Sequence, residues 1–214
     1  ASDVYKRQYE EMYWKYEYNR FFDSFEHYYS LYHHRNLELW AEYADGKVTK
    51  EELNRQRYLY PLKAVGICDS ALAKAYEKDA LAAIPTKSKL MPHAREVLEY
   101  LSSKYNLYIL SNGFKELQSH KMHSSGIDKY FKKIVLSDDI GVLKPWPEIF
   151  YFALSATQSE LKDSLMIGDS WENDIAGAAG VGMHQVFYNL SGRMDLPFMP
   201  TYQISDLKEL LDLL

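Results

Sequence analysis

Leu165-Met166-Ile167-Gly168-Asp169-Ser170-Trp171-Glu172-Asn173-Asp174, running into Ile175-Ala176-Gly177-Ala178-Ala179-Gly180, is the stretch that decides the fold. Its first three residues are a short apolar run, long enough only for a buried strand, and the small residues after Asp174 have helical composition. A strand that feeds a helix through a Gly-Asp turn is one βα unit. The same pattern recurs on both sides. Leu107-Tyr108-Ile109-Leu110 is followed by Ser111-Asn112-Gly113, and Ile134-Val135-Leu136 by Gly141-Val142-Leu143-Lys144-Pro145-Trp146-Pro147. A last apolar run covers 185–188. Short apolar runs alternating with helical stretches predict an α/β fold with a parallel sheet covered on both faces. Pro92, ahead of Ala94, Val97, Leu98 and Leu101, predicts a further helix with proline in its first turn.

Toward the N-terminus the grammar changes. Eleven of the 19 tyrosines precede residue 61, together with Trp14, Trp40, Phe21, Phe22 and Phe25. No convincing period-2 strand occurs between Tyr9 and about Ala83. Thr49-Lys50-Glu51-Glu52 reads as a capping box that opens a helix after an Asp45-Gly46 turn, and residues 25–43 and 69–81 have apolar positions at mixed three- and four-residue spacing. The expected organisation is a helical unit over 9–86 and an α/β unit over 87–214. The proline-bearing segment 84–92 reads as the hinge between them.

Composition narrows the function. The 214 residues are 47% hydrophobic and 26% charged, near globular averages. A formal net charge of -5 leaves no overall basic field to hold a nucleic-acid polymer by counterion release. No run resembles a membrane span or a secretory h-region, and the lone Cys68 cannot form an internal disulfide, so a reducing, cytoplasmic setting is expected. Cys68 itself reads as a small core hydrophobe. His33-His34 and the pair His120 and His123 lack partners at zinc spacing and read as ordinary surface or packing residues.

In an open parallel sheet, ligands bind beyond the carboxyl ends of the strands. After the first run stand Ser111, Asn112 and Gly113, a hydroxyl, an amide and a flexible residue suited to bringing backbone N–H groups to an anion. After the second stands Lys144, its backbone stiffened by Pro145 and Pro147. After the third stand Asp169 at the strand end and Asp174 about one turn on, hard oxygen ligands suited to Mg²⁺. Each has a plainer reading: Ser111, Asp169 or Ser170 as helix N-caps, and Lys144 as a solvated charge.

Taken together and in this order, the three segments resemble the haloacid dehalogenase (HAD) superfamily. Ser111 matches its second motif, Lys144 its third, and Gly168-Asp169 with Asp174 its fourth. Ser111-Asn112-Gly113-Phe114, Gly141-Val142-Leu143-Lys144-Pro145, and Leu37-Glu38-Leu39-Trp40 with Asp45-Gly46 look like the pyrimidine 5'-nucleotidase branch. The resemblance implies a Rossmann-like core over 87–214, a helical cap domain over 9–86, and Mg²⁺-dependent hydrolysis of small nucleoside monophosphates. It assigns Ser111, Asn112 and Gly113 to the phosphoryl group, and Lys144 to charge neutralisation. It places the metal on Asp169, with Asp174 as second carboxylate or as the partner of Lys144.

The superfamily's first motif, an Asp-x-Asp loop after a strand central to the sheet, is missing. Asp3 has no second Asp two residues on, and no Asp-x-Asp pair occurs anywhere in the chain. Residues 1–8 can be encoded as GAT GTG TAT AAG AGA CAG from Asp3 onward, which resembles a transposase-type sequencing adaptor. They are expected to be a non-native scar joined inside the cap of a truncated chain. Two rivals remain at this point: a metal-independent 2-haloacid dehalogenase, which the Asp169 and Asp174 pair argues against, and a non-catalytic phosphate- or nucleotide-binding module.

Overall fold

A computed structural model of the chain describes residues 2–83 and 90–214. The expected hinge at 84–92 falls mostly on 84–89, outside the described residues. The chain divides into two compact units, Ala1–Lys87 and Ser88–Leu214.

The first unit is helical: α1 (Ser2–Lys15), α2 (Phe25–Ala44), α3 (Lys50–Ala64) and α4 (Ser70–Ala83). Local chemistry sets the starts. Ser24 Oγ accepts the His27 N–H at 3.1 Å, and the expected capping box is present, with Thr49 Oγ1 accepting from Glu52 N and Glu52 Oε2 from Thr49 N. The tyrosines are the core. Tyr13, Tyr18, Tyr28, Tyr58 and Tyr76 are buried, Tyr18 stacks on Tyr76 with centroids 4.9 Å apart, and the hydroxyls of Tyr9 and Tyr32 share a hydrogen bond of 2.5 Å. Such rings bury large areas while keeping one polar handle each. The described residues among the first eight belong to α1, and buried Gln8 donates from Nε2 to the Ala80 carbonyl at 2.9 Å. Cys68 is exposed, contrary to expectation. It lies in the loop between α3 and α4.

The second unit alternates strand and helix: α5 (Ala94–Lys104), β1 (Tyr108–Ser111), α6 (Lys115–Ser125), β2 (Lys133–Leu136), α7 (Pro147–Thr157), β3 (Leu165–Gly168), α8 (Gly177–Gly180), β4 (His184–Tyr188), β5 (Tyr202–Ile204) and α9 (Leu210–Leu213). Every pairing is parallel, as expected, but the sheet comes in two pieces, β1-β2 and β3-β4-β5. Ile109 pairs with Ile134 in the first, and Ile167 with Val186 in the second. Alternating side chains feed two cores. Val186, Ile204, Val97, Leu101 and Leu210 pack on one side, and Ile149, Phe150, Ala178, Val181 and Met183 on the other. Leu110 and Met166 join the second cluster while Leu165 and Ile167 join the first, as a period of two requires. Pro92 lies outside α5, whose N-cap is His93 at a φ of 60°. No helix among the described residues is long and apolar enough to cross a membrane.

Candidate active site

Lys144 is the pivot of the site. Its side chain is 9% exposed, and its ammonium donates to the Leu110 carbonyl at 2.8 Å and to Asp174 Oδ1 at 2.6 Å. The second oxygen of Asp174 accepts the Ser170 N–H at 3.0 Å, so both oxygens of this buried carboxylate are engaged. A charge out of water is tolerated only when paired and hydrogen-bonded. The surface-lysine reading is therefore excluded by burial.

The Lys144 main chain is fixed as firmly as its head. Asn112 Nδ2 donates to the Lys144 carbonyl at 2.9 Å, and Asn112 Oδ1 accepts the Lys144 N–H at 2.7 Å, a two-point amide-to-peptide pairing across 32 residues. Buried Ser137 donates in turn to the Asn112 carbonyl at 3.3 Å. The Asn112 side chain thus belongs to Lys144, leaving only its backbone for a ligand. Sequence reading offers no signal for this grip or for Ser137, since neither follows from spacing.

Ser111 ends β1 and does not cap α6, whose N-cap is Phe114. Its Oγ accepts from the Gly113 N–H at 3.0 Å and from Gln118 Nε2 at 3.1 Å. In the third loop the N-cap is Ser170, whose Oγ accepts from Asn173 N at 3.3 Å. It opens a π-helical turn, Trp171–Ala176, of the kind found chiefly at functional positions. The turn carries Asp174 back over Gly168, where any Cβ would collide with the Asp174 side chain. Asp169 is exposed, and its carboxylate has no hydrogen bond or ion pair among the described residues. Its charge, with that of Asp206, adds to burial in holding the Tyr188 phenol above its ordinary pKa.

The structure thus joins Lys144, Asn112 and Asp174 through direct bonds, ties Lys144 to Leu110 beside Ser111, and leaves Asp169 free. Among the described residues no group of three His, Cys, Asp or Glu side chains is placed to hold a metal ion. One free carboxylate still fits Mg²⁺, which commonly keeps several waters and takes one or two carboxylates with substrate phosphate.

A family model for haloacid dehalogenase-like hydrolases matches residues 3–182. The chain belongs to that family. By family it is a hydrolase, and its relatives include nucleotidases and phosphatases. It is 31% identical to the HAD-hydrolase YfnB of Bacillus subtilis over 182 residues, 84% of this chain and 76% of that protein. It is 31% identical to the pyrimidine 5'-nucleotidase YjjG of Escherichia coli over 181 residues, 84% of this chain and 79% of that one. The crystal structure of YfnB bound to magnesium superposes with a TM-score of 0.85 at 25% identity, over 98% of this chain and 92% of that one. The L-2-haloacid dehalogenase of Xanthobacter autotrophicus superposes with a TM-score of 0.74 at 16% identity, over 98% and 92% respectively, a likeness of fold alone.

Proposed function

We propose that the chain carries the phosphoryl-binding groups of a Mg²⁺-dependent phosphomonoesterase acting on nucleoside 5'-monophosphates, pyrimidine ones in particular. The observation that carries the reading is the buried Lys144, paired with Asp174 and clamped at its peptide by Asn112. Phosphoryl transfer needs positioning and charge neutralisation above all. An ammonium has three hydrogens. Lys144 spends two, on Leu110 O and Asp174 Oδ1, which leaves one for a ligand oxygen at a fixed point. Ser111 offers a hydroxyl at the end of β1 with the Asn112 backbone beside it, while the Gly113 N–H is spent on Ser111 Oγ. Asp169 would hold the metal, while Asp174, with both oxygens used, orients Lys144. Mg²⁺ supplies positive charge to the phosphoryl oxygens when bound.

In this mechanism the first Asp of an Asp-x-Asp loop attacks phosphorus, the bond to the nucleoside 5'-oxygen breaks as that oxygen takes a proton from the second Asp, and water then hydrolyses the aspartyl-phosphate to phosphate and the free carboxylate. The 214 residues hold no such pair. That favours a second reading for the chain as it stands, a module that binds phosphate or nucleotide without turning it over. The unpartnered carboxylate of Asp169 sets metal-dependent chemistry above metal-independent dehalogenation. The nucleotide preference is supported by the likeness to YjjG.

Two preparations test this. The 214-residue chain with Mg²⁺ and uridine monophosphate should gain thermal stability without releasing phosphate. An apolar strand and Asp-x-Asp loop joined ahead of it should restore release, and Asp169→Asn should then lose orders of magnitude of the metal-dependent rate. Steady release by the shorter chain, abolished by Asp3→Ala, would overturn the account of the nucleophile. Rates in the extended chain that ignore both Mg²⁺ and Asp169→Asn would remove the metal site.

A further inference from the structure

We infer that Gln118 is a positioning residue, setting the Ser111 hydroxyl as a hydrogen-bond donor to a bound phosphoryl oxygen, and that residue 113 is glycine to make room for it. The inference rests on the phosphoryl-binding reading and deepens it. A serine hydroxyl has two acceptor lone pairs and one hydrogen. Both acceptor positions of Ser111 Oγ are taken, one by the Gly113 N–H at 3.0 Å and one by Gln118 Nε2 at 3.1 Å. The hydrogen is what remains, and no acceptor for it occurs among the described residues. A phosphoryl oxygen is such an acceptor, and a hydrogen bond to a charged group is the stronger kind. Ser111 is half-buried, so the direction of its O–H is set by these two donors more than by bulk water.

Gln118 reaches Ser111 by lying across Gly113. It sits in the first turn of α6, and a Cβ built on Gly113 would collide with its Nε2 while standing 2.8 and 2.9 Å from its Cδ and Cγ. Gly113 does not adopt a positive φ, so its backbone alone would accept other residues. The requirement at 113 is space for an amide. Gly113 and Gln118 therefore act as one unit: a methyl at 113 works by pushing Gln118 off Ser111.

The test is the affinity of the 214-residue chain for inorganic phosphate in the presence of Mg²⁺, followed by phosphorus NMR, with circular dichroism as the folding control. Ser111→Ala should weaken binding about tenfold or more, the range for a hydrogen bond to a charged partner. Gln118→Glu should weaken it at least as far, because its carboxylate accepts the Ser111 hydrogen that phosphate needs. Gln118→Ala and Gly113→Ala should each cost several-fold, and the double variant no more than either, the signature of a shared mechanism. A ligand-free readout runs beside it: the Gln118 side-chain amide signals should move in Ser111→Ala.

Phosphate binding that falls in Ser111→Ala but is unchanged in both Gln118 variants would overturn the positioning role and leave the reading of the site standing. Binding indifferent to Ser111→Ala, or absent from the wild type, would overturn that reading and the donor role with it, whatever the amide signals do. Additive losses from Gly113→Ala and Gln118→Ala would overturn the assignment of Gly113.

Discussion

Removing the ammonium of Lys144 should cost far more than removing the whole ion pair. In Lys144→Met the Asp174 carboxylate stays where it is, 8% exposed, with one Ser170 N–H as its remaining partner. Stranding one member of a buried pair typically costs about 3–5 kcal/mol, whereas replacing both members by apolar groups of similar volume is often close to neutral. The hydrogen bond that the Ser170 N–H still gives this carboxylate argues for the lower end, about 3 kcal/mol. The double variant Lys144→Met with Asp174→Leu should lie within about 1 kcal/mol of wild type, a coupling of about 2 kcal/mol or more between contacting residues. Because the chain has two compact units, a single unfolding free energy is ill defined, and the assay must read the second unit alone. Native-state hydrogen exchange at Val186 and Phe187 does so, since β4 is paired on both sides, to β3 and to β5. At about 1.4 kcal/mol per tenfold, Lys144→Met should raise exchange there roughly a hundredfold and the double variant less than about tenfold. A single variant within about fivefold of wild type, or one that matches the double, would mean that the pair is solvated and would refute the argument from burial.

Gly168→Ala should act on the same pair from the other side, because the new methyl meets Asp174 at its Cβ as well as its carboxyl, so turning the head of the side chain does not relieve it. Overpacking of this kind costs about 1–3 kcal/mol, and wild-type exchange in β4 would show that the turn yields freely. In the first unit, burial and then the Asp79 carboxylate push the Tyr16 phenol up to about 12. The folded state thus holds this proton more tightly than the unfolded chain, so the contribution is full below about pH 10 and is lost as pH rises toward 12. Absorbance at 295 nm should place Tyr16 ionisation in that window and move it downward in Asp79→Asn; ionisation near 10 with the helices intact would refute it. Finally, β1 and β3 each have only one partner strand among the described residues, and their side chains are all half-buried. Their backbone amides should exchange faster than those of β4, and equal protection would mean that the open edges are covered.

Much of this was legible in order along the chain. The apolar runs at 107–110, 134–136, 165–167 and 185–188 became β1 to β4 with boundaries moved by one residue, because each is a short apolar run bounded by polar residues or glycine. The capping box at Thr49 was legible because its two hydrogen bonds lie three residues apart. What was not legible is long-range or sparse. β5 is three residues long with only Ile204 buried, too little pattern to separate from a loop. At the site, the strand-end rule picked out Ser111, Lys144 and Asp174, yet the side chain of Asn112 reaching Lys144, and that of Gln118 lying on Ser111, depend on rotamers that composition does not carry.

The loop after β3 explains why two aspartates five residues apart take opposite positions. Asp169 follows directly on β3 and is exposed, so its carboxylate stays hydrated. From Ser170 the chain turns wide: both Asp174 N and Ile175 N donate to the Ser170 carbonyl, at 2.9 and 3.3 Å, the four- and five-residue closures of an α turn opening into a π turn. That extra width carries the Asp174 side chain back to the Ser170 N–H rather than outward, and Gly168 leaves the floor on which it lies. With its charge buried there, Asp174 needs a cation, and Lys144 meets it from the neighbouring loop because Asn112 has fixed the lysine's peptide beforehand. The buried pair is thus a consequence of turn geometry, and the exposed Asp169 is its complement: one carboxylate is spent on holding the lysine while the other stays in solvent.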